Sequence, residues 1–155
     1  MEELKVKALV LSNVDFKERD KILTLYSLEL GLISVKLKNC NTGAYKLKFA
    51  YSTFSFCEFE LLKKDEVFIV KTATLIDNFY DLTSDYNKFV IASLVLELLL
   101  KTNKNFEPNQ ILFINMLKFF NLLTYSDVEP KLILLKFLLG LIKVNGFRLN
   151  FNKCT

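Results

Sequence analysis

The sequence contains no histidine, and this absence excludes most of the common catalytic side-chain sets. Without an imidazole there can be no Ser-His-Asp or Cys-His nucleophile, no histidine metal ligand and no histidine proton shuttle near neutral pH. The sequence also lacks a Gly-rich phosphate-binding loop, and its acidic residues are scattered. We therefore expect a protein that is not an enzyme.

Cysteine is scarce as well. The three cysteines, Cys40, Cys57 and Cys154, form an odd number with no short spacing among them, so they do not indicate a disulfide framework. A structural zinc ion needs about four ligands, which these residues do not supply. We expect no metal site and no cofactor within this chain.

No apolar run is long enough to span a bilayer, which takes roughly 20 residues. The longest runs, "FVIASLVLELLL" and "LILLKFLLGLI", are shorter, and each contains a charged residue. The first residues, "MEELKVKALVLS", lack the basic region and cleavage site of a signal peptide. We expect a cytoplasmic protein with no membrane association.

The residues that are present predict a folded protein with a substantial core. The chain has 155 residues, of which 52% are hydrophobic, and it contains 15 Phe and no Trp. This length supports one domain or two small domains that share a surface. The formal net charge of +4 permits a polyanionic partner but does not require one.

The first half of the chain has the alternation of β-strands, and the short polar connections favour a small five-stranded barrel. In the third strand, for example, Ile33, Val35 and Leu37 would face one way and Ser34 and Lys36 the other. The predicted strands are Lys5–Ser12, Asp20–Ser27, Ile33–Asn39, Phe49–Leu62 and Glu66–Ile76.

The second half has helical periodicity, with a boundary near Phe79–Thr83, so we predict domains at 1–78 and 79–155. The predicted helices start at the cap Ser84, at Pro108 and at Pro130, and they end near Thr102, Thr124 and Gly146. The third helix is apolar nearly all round, so it needs cover on most sides. Either it pairs with a partner or the residues that cover it are absent from this chain.

Basic residues of the first half are candidates for nucleic-acid binding. Lys36, Lys38, Lys46 and Lys48 fall in a stretch, 30–57, that has no acidic residue, and lysines there could displace counterions from phosphates. The alternative is a solvated strand face and loop, which composition alone favours. The charged run 15–21 has the same two interpretations: a solvated hairpin connection, or a ligand site formed by Lys17, Arg19 and Lys21.

Five aromatic residues of the strand region, Phe49, Tyr51, Phe54, Phe56 and Phe59, could stack on exposed bases or fill the barrel. We favour the barrel core for most of the phenylalanines. Tyr51 is the best stacking candidate, because tyrosine has a polar end to present to water.

The stretch "ALVLSNVDFKERDKILTLYSLELGLISVKLKN" resembles the opening of the bacterial recombination mediator RecO family. The family pattern has an apolar strand, an Asp-aromatic pair, Glu-x-Asp-Arg/Lys, Ile-x-Thr-Leu, a Gly turn and a strand ending in lysine. Softer similarity extends over "FSFCEFELLKKDEVFIVKTATLID" and "LLKFLLGLIKVNGFRLNFNKC", the second of which ends at a cysteine that resembles the first zinc ligand of the family. The matching residues are Leu11, Ser12, Asp15, Phe16, Glu18, Asp20, Lys21, Ile22, Thr24, Leu25, Gly31 and Lys36.

The resemblance implies an N-terminal OB-fold that binds DNA and a C-terminal helical domain, here partial. It further implies binding to single- and double-stranded DNA, strand annealing, and RecA loading together with RecR and the single-stranded-DNA-binding protein, at the nucleoid in the cytoplasm. Family members continue past the first zinc cysteine, so the chain is expected to be C-terminally truncated relative to them. The implied DNA-binding residues are Lys17, Arg19, Lys21, Lys36, Lys38, Lys46 and Lys48.

The resemblance also implies a protein-binding groove in the helical domain, which would hold the acidic, Phe-ending tail of the single-stranded-DNA-binding protein. The expected contact residues are Lys131, Lys136, Lys143 and Arg148, unless these side chains serve only to keep an apolar helix soluble. A different class of function stays open: a protein-interaction module that binds no DNA and docks a partner, or a second copy, through its apolar helices.

Overall fold

The computed structural model describes residues 1–43 and 45–144, and its described part forms a five-stranded barrel followed by three α-helices. The predicted fold class is therefore confirmed. The strands are β1 (Glu2–Phe16), β2 (Asp20–Ser27), β3 (Gly31–Leu37), β4 (Phe56–Lys64) and β5 (Val67–Asp77). The helices are α1 (Tyr86–Thr102), α2 (Gln110–Tyr125) and α3 (Pro130–Val144), and 3-10 turns lie at Lys48–Tyr51 and Tyr80–Thr83.

The barrel has the strand arrangement of an OB-fold. Its closed order is β1-β2-β3-β5-β4, and every neighbouring pair is antiparallel except β3 and β5. Strand β1 is long enough to pair with β4 through its first half and with β2 through its second half. A register shift between Val10 and Ser12 marks the bend where β1 changes partner.

The barrel interior is filled by alternate residues of the strands, as the sequence pattern predicts. The segment between β3 and β4 closes one end of this core, because Tyr45, Leu47, Phe49 and Tyr51 pack against it. The buried side chains are Val6, Ala8, Val10, Leu23, Leu25, Ile33, Val35, Leu37, Cys40, Ala50, Cys57, Phe59, Leu61, Phe68 and Ala73.

The three helices and the outer side of the barrel share a second core. Outward-facing Leu9, Leu11, Tyr26 and Leu32 are buried in this core, and the Tyr26 ring stacks on that of Phe113 with centroids 6.1 Å apart. The outer surface of β1, β2 and β3 is therefore divided. One half is covered by helices, and we call the other half the open face: Ser12, Val14, Phe16, Asp20, Ile22, Thr24, Ser34 and Lys36.

The predicted strand at Phe49–Leu62 is wrong in its first half, because β4 begins only at Phe56. The preceding residues turn back over the barrel end, where Ala50 is fully buried. Phe54 has a positive φ of 73° and its N–H donates to the Val10 carbonyl at 3.1 Å, which redirects the chain into β4. Phe, Tyr and Thr favour strands, but here the apolar side chains are needed to close the barrel end.

Two predicted helix starts are also corrected. Helix α1 is capped by Asp85 rather than Ser84: the Asp85 carboxylate accepts from the Lys88 N–H at 3.2 Å, while the Ser84 hydroxyl donates to the Asp81 carbonyl. Helix α2 begins at Gln110, two residues after Pro108, because the Asn109 side chain accepts from the Leu112 N–H at 3.0 Å.

Helix α3 begins at Pro130 as predicted, and its predicted end near Gly146 lies outside the described residues. Its buried side chains, Ile133, Phe137 and Leu141, form one face. On the opposite side Leu132 and Leu135 are 59% and 54% exposed, so the described chain covers one side of this apolar helix only. Within the same residues no helix combines the length and apolar character needed to cross a membrane.

Candidate nucleic-acid interface

The open face brings together residues that are far apart in sequence. Strand pairing places Val14 beside Ile22 and Ile22 beside Lys36, which makes a continuous row across three strands. Phe16 ends β1 in the position paired with Asp20, so its ring stands at the edge of this row. Val14 is 58% exposed and Phe16 is 38% exposed, although both are apolar. Neighbouring exposed apolar side chains of this kind are typical of a binding surface.

Lys36 stands at the β3 end of this row, and its charge is partly balanced by Asp20. Its Nζ lies 3.8 Å from an Asp20 carboxylate oxygen and 4.8 Å from the centroid of the Phe16 ring. The Lys17 ammonium lies 5.4 Å from the same ring. Asp20 also accepts from the Asn39 N–H at 2.9 Å, and this bond fixes the loop after β3 beside the β1–β2 hairpin. Phe16 therefore has two ammonium groups beside it.

Lys21 faces the other way, toward the closed end of the barrel. Its ammonium donates to the Asp15 carboxylate at 2.7 Å and lies 5.3 Å from the Tyr51 ring centroid, and its side chain is only 14% exposed. The side-chain amide of Asn41 also donates to Asp15, at 3.3 Å. These hydrogen bonds, that from Lys21 first, hold the pKa of Asp15 below its usual value. Lys21 thus joins the hairpin to the residues that cover the barrel end.

The other five predicted DNA-binding residues are exposed cations, and within residues 1–43 and 45–144 none of them makes an ion pair. Two lie in the β1–β2 hairpin, whose Arg19 carbonyl accepts from the Asn41 N–H. The others follow β3, where exposed Lys46 and Lys48 alternate with side chains that pack on the barrel. The five are Lys17, Arg19, Lys38, Lys46 and Lys48.

The aromatic candidates differ in their access to solvent. Phe59 is buried in the barrel core, as predicted, whereas Phe54 is buried in the second core, against the helices. Tyr51 is half-buried, with the Tyr45 ring 6.3 Å away on a stacked geometry and Lys21 above it. Phe16 was not singled out as a stacking residue from the sequence. Its place at the end of a strand, after outward-facing Val14, is the signal that could have identified it.

The two cysteines in the described part of the chain do not have the properties of nucleophiles. Cys40 and Cys57 are buried free thiols, and burial raises the pKa of the Cys57 thiol to about 12 and also raises that of Cys40. A nucleophilic cysteine needs the opposite shift. No group of three potential metal ligands occurs in the part of the chain that the structure describes, and Cys154 lies outside that part.

The helical half carries a groove between α2 and α3 with a volume of about 510 Å³. Its apolar lining comes from Phe119, Leu122, Ile133 and Phe137, and Lys118 and Lys136 bring positive charge to it. The sequence interpretation missed Lys118, because only the packing of α2 beside α3 places it opposite Lys136.

The predicted protein-binding lysines are not all in this groove. Lys143 is exposed and lies seven residues after Lys136, on the same side of α3. Lys131 lines a different cleft, of about 630 Å³, between the start of α1 and the connection from α2 to α3. That cleft also contains Asp127 and Glu129. Arg148 lies outside the described residues.

Comparison with known proteins gives consistent matches over nearly the whole chain. Residues 1–79 match the family described as "Recombination protein O N terminal", and residues 83–155 match "Recombination protein O C terminal". The chain is 28% identical to the DNA repair protein RecO of Clostridium novyi, with 97% of this chain and 59% of the relative aligned. Identity is also 28% to the RecO proteins of Caldicellulosiruptor bescii and Mesoplasma florum, of which 63% and 58% are covered. The chain thus spans about three fifths of the length of these relatives.

Proposed function

The chain belongs to the recombination protein O family, and on this basis we propose that it binds DNA and acts as a recombination mediator in DNA repair. In this proposal it anneals strands and loads RecA together with RecR and the single-stranded-DNA-binding protein, in the cytoplasm at the nucleoid. It turns over no substrate. Residues 1–78 serve as the DNA-binding OB domain and residues 79–155 as a protein-binding helical domain.

The observation that carries the DNA-binding proposal is the association of exposed cations with an uncovered OB face. OB-folds bind nucleic acid on the face of strands 2 and 3 and the adjoining loops. In this chain Lys36 lies on that face, and Lys17 and Arg19 lie in the β1–β2 hairpin that borders it. Lys38, Lys46 and Lys48 extend the positive surface along the connection after β3, whereas Lys21 would add charge from its ion-paired position.

Changing Lys38, Lys46 and Lys48 to Ala is expected to weaken binding of single-stranded DNA and to flatten its salt dependence. Each phosphate contact that is lost should lower the slope of log affinity against log salt by about 0.7. If all three lysines contact phosphates, the slope measured for the triple variant should be smaller in magnitude than that of the wild type by about 2. The measurement is a salt titration of binding to a fluorescent oligonucleotide.

The matched control changes three lysines of the helical half, Lys88, Lys101 and Lys104, to Ala, so both variants lose the same net charge. The control should keep the wild-type slope within about 0.5, because only contacts to phosphate release counterions. If the two variants have the same slope, Lys38, Lys46 and Lys48 do not contact phosphates.

For the α2–α3 groove we propose the acidic, Phe-ending tail of the single-stranded-DNA-binding protein as the ligand. The groove combines an apolar lining with lysines on two helices, which suits a peptide that ends in an aromatic ring and a carboxylate. Lys136 and Lys118 would hold the negative charges, with Lys143 further along α3.

Changing Lys118 and Lys136 to Glu should weaken binding of a synthetic tail peptide by roughly tenfold or more, because attraction is replaced by repulsion. A control with Lys64→Glu and Lys104→Glu has the same change of net charge away from the groove and should bind nearly as wild type. Fluorescence anisotropy of a labelled peptide measures both. Equal losses in the two variants would show a non-specific charge effect and would remove the groove from the proposal.

A second candidate function has one observation in its favour. The apolar residues Leu132, Leu135 and Leu139 are exposed along one side of α3 and could dock a protein partner or a second copy of the chain. Such a module would need no DNA. Docking of apolar surface depends little on salt, whereas binding to phosphates weakens steeply with salt, so the salt slope separates the two functions.

A further inference from the structure

Phe16 is the one aromatic side chain on the open face in the described part of the chain. It is 38% exposed although it stands at the end of a paired strand, beside the still more exposed Val14. An isolated exposed phenylalanine needs no special explanation. Here, however, the ring extends an apolar row through Val14 and Ile22, and two ammonium groups lie within 5.5 Å of its centroid, at 4.8 and 5.4 Å.

The other aromatic rings near the predicted interface are already engaged by the protein. Tyr51 lies against Tyr45 and below the Lys21 ammonium, and its carbonyl accepts from the Asn13 side chain at 2.8 Å. Tyr45 packs against the barrel core, where burial raises its pKa to about 12. A base that stacked on either ring would have to open the closed end of the barrel. Phe16 requires no such rearrangement.

We propose that Phe16 is the platform on which an unpaired base stacks, and that Lys17 and Lys36 contact the phosphates that flank that nucleotide. This inference rests on the proposed DNA binding and specifies the class of ligand: a single strand with an accessible base. Val14 and Ile22 give the same base, or its neighbour, an apolar surface beside the ring. A paired base in a duplex has no free face, so it cannot use the platform.

The lysines near the ring do not compete with the base. An exposed cation–π contact is weaker than stacking of a base on an aromatic ring. An ammonium displaced from the ring gains a phosphate oxygen as a partner, with a charge-assisted hydrogen bond. Asp20 keeps Lys36 beside the platform, because its carboxylate lies 3.8 Å from the Lys36 ammonium. The protein thus presents the ring and the two cations together.

The direct test is Phe16→Leu, which keeps an apolar side chain but removes the ring. Affinity for an oligothymidylate should fall roughly 5- to 100-fold, the range expected when one stacked base is lost. The salt slope should stay as in wild type, because stacking releases no counterion. Affinity for a duplex of the same length should change less than about twofold. The control Phe106→Leu removes an exposed ring in the connection between α1 and α2 and should leave both affinities unchanged.

A second variant reports stacking without depending on affinity. The chain contains no tryptophan, so Phe16→Trp and the control Phe106→Trp each carry one fluorescent indole. Single-stranded DNA should quench the indole at position 16 strongly and that at position 106 little.

The outcomes separate this inference from the function on which it rests. If wild type binds neither DNA form, the proposed function fails, and the platform with it. If wild type binds with a steep salt slope but Phe16→Leu binds the oligothymidylate equally well, or both indoles are quenched equally, the platform alone is wrong.

Discussion

Gly31→Ala is expected to destabilise the protein by about 2–5 kcal/mol. The left-handed backbone conformation at this position disfavours any residue with a Cβ, and the added Cβ would also clash with neighbouring backbone atoms. Gly31, the first residue of β3, has a φ of 71°. A Cβ at this position would lie 2.6 Å from the carbonyl carbon and oxygen of Glu107 and 2.9 Å from the nitrogen of Pro108. These are backbone atoms, so they cannot move aside as the end of a flexible side chain could.

The clash matters because this contact joins the two halves of the chain. The connection between α1 and α2 lies along the start of β3, where Asn105 forms a bridge with Leu32 and the Phe106 N–H donates to the Leu32 carbonyl at 3.1 Å. Strand β3 pairs with β5 at only Val35 and Lys36, so this connection supplies β3 with further backbone contact. Gly31→Ala would push the connection away from the barrel.

Urea unfolding measures this effect, and the midpoint should fall by roughly 1 M or more. Gly43→Ala is the matched control, since no heavy atom lies within 4 Å of the Cβ position there. The control should change stability by less than about 1 kcal/mol, and any gain would come from a less flexible unfolded chain. Equal midpoints for the two variants would show that Gly31 is not required by the packing described.

Phe120→Ala is expected to cost about 3–5 kcal/mol, the usual range for removal of a fully buried phenylalanine. The Phe120 ring is inaccessible to solvent and lies 5.1–5.9 Å from the rings of Phe54, Phe79 and Phe119. One of these precedes β4, another follows β5, and the third is on α2. The substitution therefore leaves a cavity where the barrel meets the helices.

This variant should lower the stability of barrel and helices together, because both contribute to the cluster around Phe120. Far-ultraviolet circular dichroism reports the unfolding of the helices. The fluorescence of a tryptophan introduced by Phe16→Trp, in proteins with and without Phe120→Ala, reports the unfolding of the barrel. Their unfolding curves should coincide. Ile111→Ala on the exposed side of α2 is the control and should cost less than about 1 kcal/mol. A barrel curve that Phe120→Ala leaves unshifted would contradict a shared core.

The parts of the fold that follow from local alternation could be predicted from the sequence. Val35 and Leu37 alternate with polar residues, and they are buried in the barrel as expected. Leu9, Leu11 and Tyr26 face outward, and their burial could not be predicted because it depends on helices that begin only at Tyr86. The segment 49–55 was wrongly predicted as strand for a similar reason. Its composition is typical of a strand, but its position is set by contacts with distant strands, whose barrel end it closes.

The basic residues of the candidate site could be named from the sequence, but their positions relative to one another could not. Lys21 and Lys36 are near each other in strand pairing, yet they face opposite sides of the sheet, because their positions differ by one residue in register. Only the register shows that Lys21 points to the barrel end, beside Asp15, while Lys36 stands on the open face, beside Asp20. Phe16 and Lys118 could not be identified from the sequence for the same reason. Phe16 is a candidate because Lys36 of another strand lies beside it, and Lys118 because Lys136 of another helix lines the same groove.

The central claim is that this chain binds single-stranded DNA through cations around its open OB face. The most direct measurement is the affinity of the wild-type chain for an oligothymidylate across a series of salt concentrations. The claim predicts a straight line of log affinity against log salt with a slope of about −2 or steeper, since at least three phosphate contacts should each contribute about 0.7. Absence of binding at low salt, or binding with a slope near zero, would contradict it.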